Sequence, residues 1–155
     1  TIQLHSSKEV VMSVVHLRIY QDAVAVAGEI AVMVESWAPF HRDTVGMQIV
    51  RAADAISNFI AEGYGKAETE ERLQHLFLAD SSLQETKNQF RLALHRGIIE
   101  EEIEKHYISR LTGLSISMME FGAAIINRDE TYDGKYRAVI ERRRKWLVNR
   151  TPVPV

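Results

Sequence analysis

The stretch Met47-Gln48-Ile49-Val50-Arg51-Ala52-Ala53-Asp54-Ala55-Ile56-Ser57-Asn58-Phe59-Ile60-Ala61-Glu62-Gly63-Tyr64-Gly65 decides the fold. Met47, Val50, Ala53, Ile56 and Ile60, with Ala61 beside it, recur every three or four residues, the spacing that aligns side chains on one face of an α-helix. Gly63 and Gly65 follow the stripe, and a glycine there ends a helix by taking the left-handed turn at no steric cost. Asp43 lies upstream and offers the short acceptor side chain of an N-cap. A helix over 43–62 is therefore predicted.

The same period extends in both directions. Upstream, Leu17, Tyr20, Val24, Ala27, Ile30 and Val34 predict a helix over 13–36, with Ser13 as a cap. Trp37-Ala38-Pro39-Phe40 breaks it, because proline cannot extend the hydrogen-bond ladder. Downstream, Thr69 is the expected cap of a helix over 69–96, with Glu70 and Glu71 at its positive end. Leu73, Leu76, Phe77, Asp80, Leu83, Lys87, Phe90 and Leu94 mark its stripe, with Asp80 and Lys87 expected at the edge. Arg96-Gly97 stops it. Glu100, Glu101 and Glu102 open a fourth helix over 100–126, striped by Ile103, Tyr107, Leu111, Leu114, Met118, Phe121 and Ile125. Met33, Met47, Met118 and Met119 read as core filler. Strand signals are confined to Val10–Val15 and the Val153-Pro154-Val155 end.

Four long helices with short connections predict an all-α fold, an antiparallel up-down-up-down four-helix bundle over 1–127. Residues 128–155 form a C-terminal extension. Asp129 to Gly134 reads as a loop, and 135–148 as a short fifth helix with Tyr136, Val139, Ile140, Arg143 and Leu147 on one side. Thr151-Pro152-Val153-Pro154 ends it.

Composition bounds the chemistry. The chain has 155 residues, 46% hydrophobic and 26% charged, which suits one globular domain. It has no cysteine, so disulfides, zinc–thiolate sites and cysteine nucleophiles are excluded. The net charge is −2 but uneven: residues 1–127 hold 11 basic and 17 acidic side chains, whereas 128–155 hold 8 and 4. The longest apolar run, Ala23 to Val34, is interrupted by Glu29 and falls short of the about 18 residues a membrane span needs. No signal peptide is read at the N-terminus, and a cytoplasmic location is expected.

Candidate chemistry is sparse. Glu71/His75 and Glu102/His106 are i,i+4 pairs, whereas di-metal carboxylate bundles use Glu-x-x-His, which is absent. The pairs read as solvated helix-face pairs, and neither a metal nor another cofactor is expected. Gly63-Tyr64-Gly65-Lys66 follows a helix rather than a strand, so it is not a phosphate loop. No nucleophile elbow occurs. Glu62, unfavourable at a helix C-terminus, is expected to pair with Arg51 or Arg18, or to accept N–H bonds from a nearby loop. Arg51, beside the small Ala52 and Ala53, is expected to grip a carboxylate. The run Arg142-Arg143-Arg144-Lys145-Trp146 reads in two ways. It is a phosphate-binding segment with a stacking aromatic, or a solvated helix whose Trp146 packs on the bundle or on a neighbouring subunit.

Three stretches carry a family resemblance: Leu17-Arg18-Ile19-Tyr20-Gln21-Asp22-Ala23, then Gln48 to Ile56 running on through Ile60-Ala61-Glu62-Gly63-Tyr64-Gly65-Lys66, then Ser82-Leu83-Gln84-Glu85 followed by Gly97-Ile98-Ile99. Together they resemble the bacterial four-helix-bundle proteins encoded inside intervening sequences of large ribosomal RNA genes. The accessory variability determinant of diversity-generating retroelements belongs to the same group. The likeness covers about residues 16–125, with Phe59, Ala55 and Lys87 standing where the family commonly has asparagine, serine and glutamate. It implies a ring-like homopentamer, and for the retroelement members binding to a reverse transcriptase and nucleic acid.

The expected function is accordingly a non-enzymatic oligomeric adaptor for a protein or nucleoprotein partner, with the basic tail as a nucleic-acid contact. The alternatives are a structural ring in which the tail clasps the next subunit, and a metal-dependent enzyme of the bundle core.

Overall fold

The computed structural model describes residues 14–150, and every regular element among them is helical. A 3₁₀ turn, Val14–His16, leads into α1, Arg18–Glu35. A short turn α2, Pro39–His41, runs through a π-helical turn, Arg42–Gly46, into α3, Met47–Tyr64. Helix α4 spans Thr69–His95, α5 Glu101–Asn127 and α6 Tyr136–Arg150. The expected cap Ser13, most of Val10–Val15 and the Thr151–Val155 end lie outside the described residues. Val14 itself sits in the 3₁₀ turn rather than a strand.

Neighbouring helices pack in chain order. α3 lies closest to α4, α1 packs on α3, α4 on α5 and α6 on α5, and α1 also touches α5. One apolar core joins them, from Ile30 of α1 through Ile56, Leu83 and Met118 to Ile140 and Leu147 of α6. Phe90 and Tyr107 stack inside it with ring centroids 4.7 Å apart.

Several expectations are corrected. On α1 the buried line is Ile19, Ala23, Val26, Ala27, Ile30 and Val34, while Val24 is exposed. Apolar residues occupy both faces of this helix, so period alone could not fix which one turns inward. On α3, Ile49, Ala52 and Gly63 are buried and Met47 is half exposed, so Met47 is not core filler. Met118 and Met119 are. Asp43 caps nothing: the helical run begins at Pro39, whose missing N–H costs nothing in the first turn, and Asp43 lies in the π turn. That turn brings Gly46 against α1, where an added Cβ would meet Val34 Cγ1 at 2.6 Å. Thr69 is not a cap either; Glu68 holds that position, and the Thr69 hydroxyl donates to Asp129 at 2.7 Å.

The two glycine-marked helix ends differ. Gly97, at φ 71°, follows the last turn of α4 in the left-handed conformation. Its N–H reaches Leu94 O and that of Ile98 reaches Ala93 O, which satisfies two end carbonyls. Gly65 instead keeps a right-handed backbone at φ −80°, so α3 does not end through a left-handed glycine. Gly63 serves close approach: a Cβ there would fall 2.6 Å from the His75 Cβ.

Candidate functional site

Helix α6 carries the basic run, and its two sides have different fates. Ile140 and Leu147, seven residues apart, return to the same face after two turns and are 2% and 4% exposed. They seat α6 in the core, where Ile140 Cδ1 reaches the small Gly122 of α5. Tyr136 adds a stacked contact with Phe77 of α4, centroids 5.0 Å apart. The sequence extension is thus an integral fifth long helix.

The preceding loop is pinned to the start of α4. Tyr132 donates from its hydroxyl to Glu70 at 2.6 Å, and accepts from the Tyr136 backbone N–H at 3.2 Å. Burial, together with the Glu70 hydrogen bond, pushes the Tyr132 phenol up to about 12. Asp129 accepts from the hydroxyls of Thr69 and Thr131, and these bonds hold its carboxyl below the usual range.

The run itself divides. Arg143 binds Asp80 of α4, a carboxylate only 4% exposed, whose other oxygen accepts from the buried Ser115 hydroxyl at 2.5 Å. Asp80 is therefore buried, not at the edge of its helix as its sequence position suggested. A charge placed there needs partners from outside the helix, and α5 and α6 supply them. Arg144 makes a two-pronged contact with Glu120 of α5, 2.7 and 2.9 Å. This pairing raises the Arg144 pKa further above its usual value. Arg142, Lys145 and Trp146 stay exposed, Trp146 by 49%. The Arg143 guanidinium lies 5.8 Å from the Trp146 ring centre. Val139, Arg142, Arg143 and Trp146 line a shallow notch without an acid, whereas the notch on the other side mixes Glu120 and Glu141 with Arg144 and Lys145.

Two further cations of α4 lie near this ion pair. Lys87 is half-buried, and its pKa is lowered first by burial, then by Arg91 and Arg143, while Asp80 acts in the opposite direction. The signal was in the spacing: Asp80, Lys87 and Arg91 fall along one side of a helix at seven and four residues.

The residues of the family motif play other parts. Ile60 is core, Ala61 is partly buried beside it, and Tyr64 lines a small apolar cavity with Phe59, Arg72 and Phe121. Glu62 faces the His75 imidazole at 3.7 Å, not Arg51 or Arg18. Arg18 pairs with Asp22, and Arg51 is exposed with no ion pair among the described residues. The expected Arg51–carboxylate grip is therefore absent from the described chain. His75 Nδ1 lies 2.8 Å from the Glu71 backbone oxygen, so it is held by its own helix rather than turned to the Glu71 side chain. His106 packs edge-on against Tyr107. Among the described residues no three His, Asp or Glu side chains converge as a metal site, and no helix is long and apolar enough to cross a membrane.

A second surface lies where the α1–α2 and α4–α5 connections meet. Met33, Trp37, Ile98, Ile99 and Ile103 line an open groove there, with His41, Ser36 and Glu100 as its polar members. Phe40, 73% exposed, packs only the edge of its ring on His41.

No curated protein matches the chain. A family model described as 23S rRNA-intervening sequence protein matches residues 15–119.

Proposed function

The chain belongs to the 23S rRNA intervening-sequence protein family, and from that premise we propose that it is a non-enzymatic, homo-oligomeric adaptor for a protein or nucleoprotein partner. In this reading α1, the run 39–64, α4 and α5 form an antiparallel up-down-up-down four-helix bundle. Copies close into a ring of five in the bacterial cytoplasm, and the ring presents its outer surfaces to a reverse-transcriptase-like protein or another nucleoprotein.

The observation that carries the reading is the groove at the end of the helices, where apolar side chains meet water. Ile103, 39% exposed, lines it with the partly buried Trp37, Ile98 and Ile99, and Phe40, 73% exposed, lies edge-on to His41 of the same lining. Large apolar side chains left exposed beside a groove mark a candidate interaction site. The groove is built from connections rather than from helix middles, so it can be covered without disturbing the core.

Native mass spectrometry and sedimentation of the full chain, alongside a Phe40→Glu/Ile103→Glu variant, test it. The expected result is a closed oligomer for the parent and smaller species for the variant, with unchanged helical content. A parent that runs as a single chain and pulls down no partner sinks the adaptor reading.

A further inference from the structure

The side of α1 turned away from the core is built like an inner one. Val24 and Val32 stand there 43% and 68% exposed, with Gly28 between them at four-residue steps and Ala25 alongside in water. Val24, Gly28 and Val32 form one i, i+4, i+8 ridge, the kind along which helices pack. The ridge dips at its middle, where an added Cβ on Gly28 would meet nothing within 4 Å. A glycine inside a helix weakens the single chain, and its use is to let another backbone come close. The charges of this stretch point aside. Glu29 is bound by Arg110 of α5, and Asp22 lines the α1–α5 cleft with that arginine.

This outer face reads the same in both directions. Outward from Gly28 stand Ala25 and Ala31, Val24 and Val32, and then the polar Gln21 and Glu35. A contact around a two-fold axis requires such a pattern, because each patch must match itself turned end for end. We propose that α1 packs antiparallel against α1 of a second copy of this chain, with the two Gly28 residues at the crossing point. Val24 of one copy then lies along Val32 of the other. The antiparallel setting also places the positive start of each helix beside the negative end of the other. A parallel pair would set like ends together. Arg110 holds Glu29 at the edge of the contact, so the two copies meet there as neutral pairs rather than as two bare carboxylates. The groove beside Phe40 takes no part. The contact goes beyond the ring: it adds a two-fold axis that joins ring to ring, or chain to chain.

The test starts from the full chain carrying Phe40→Glu/Ile103→Glu, in which the groove is silenced and α1 alone is read. Native mass spectrometry over a concentration series should show this chain pairing to twice its mass. Adding Gly28→Leu should weaken the pairing at least about tenfold with unchanged helical content, because two leucines then fill the dip. The chain has no cysteine of its own, so each introduced thiol reports one place. Under mild oxidation Gly28→Cys should link to itself, since the two residues face each other across the axis within disulfide reach. A Val24→Cys chain and a Val32→Cys chain should link to each other faster than either links to itself. Asn58→Cys, exposed on α3, should stay single. A groove variant that stays a single chain at every concentration, or that pairs equally well with Gly28→Leu, overturns the proposal. So does self-linking by Val24→Cys as fast as the mixed link, which means a parallel pair, or linking by Asn58→Cys as fast as by Gly28→Cys, which means random collision. A parent that forms a ring without the Gly28 link loses this inference alone. A parent that stops at two linked chains keeps it and loses the ring.

Discussion

Helix α4 is gripped on two flanks by different means. Toward α3 the backbones come together: Gly63 meets the His75 Cβ so closely that one added carbon would collide, and small or branched apolar residues fill the rest. Toward α6 the backbones stay apart, and long side chains bridge the distance: Tyr136 to Phe77, and Arg143 to Asp80. The tight seam has no room for anything else. The wide seam is held at a few points, and between them it leaves charged and aromatic groups partly in water. The first kind of seam suits stability, and the second can serve both stability and recognition.

The largest expected effect challenges the wide seam as a whole. A chain ending at Asn127 loses the buried Ile140 and Leu147 and leaves Asp80 without its cation. Two buried aliphatic side chains and one orphaned buried charge together should cost on the order of 5 kcal/mol, read by urea unfolding. If the shortened chain unfolds at the same urea concentration, α6 is an ornament and the comparison fails.

Next comes the single bond at its centre. Arg143→Ala should destabilise by about 2–3 kcal/mol, at the low end for a buried pair because the guanidinium is 29% exposed. Pairing it with Asp80→Ala should return most of that loss, since no lone charge is then left inside. Equal losses in the single and double variants would show that the bond does not hold the seam.

The tight seam is probed by one methyl group. Gly63→Ala should cost about 1–3 kcal/mol, because the His75 Cβ at 2.6 Å belongs to a helix backbone that must move. Gly113→Ala, with nothing within 4 Å, should instead gain about 0.5–1 kcal/mol from helix propensity. Opposite signs in thermal melts sharpen the contrast; a shared sign removes it.

The smallest effect is a slope. The Tyr132 phenol, at about 12 in the folded chain and near 10 when unfolded, keeps its proton longer in the native state. Its contribution is complete below pH about 10 and is lost as pH rises toward about 12, because the unfolded chain releases the proton first. Tyr132→Phe should remove this alkaline decline, and ultraviolet titration should lack one late phenolate.

The helical character of the chain was legible because the apolar stripes of α3 and α5 repeat over many turns. The stop at Arg96-Gly97 was legible because only glycine takes that turn cheaply. The inner face of α1 was not, since valines and alanines surround it. Gly63 was read as a terminator although it serves contact, because a single letter does not say whether space or backbone angle demands it. In the site, the basic run was visible, and so was the side of Arg143, which shares its spacing with Tyr136, Ile140 and Leu147. Its partner was not: Asp80 lies 63 residues away, and no local pattern links the two. Lys87 was read at the edge of its helix, and it is half-buried there; that Arg143 of α6 lies within its electrostatic reach could not be read locally.

The Asp80–Arg143 bond ties a residue inside the matched region to one beyond it. An acid at this position is tolerable only in chains that also bring the arginine. Across genomes the two should be gained and lost together, and relatives without α6 should carry a neutral residue at the position of Asp80. The two positions would then vary as one unit, and a comparison of many sequences would show them as a pair of linked columns.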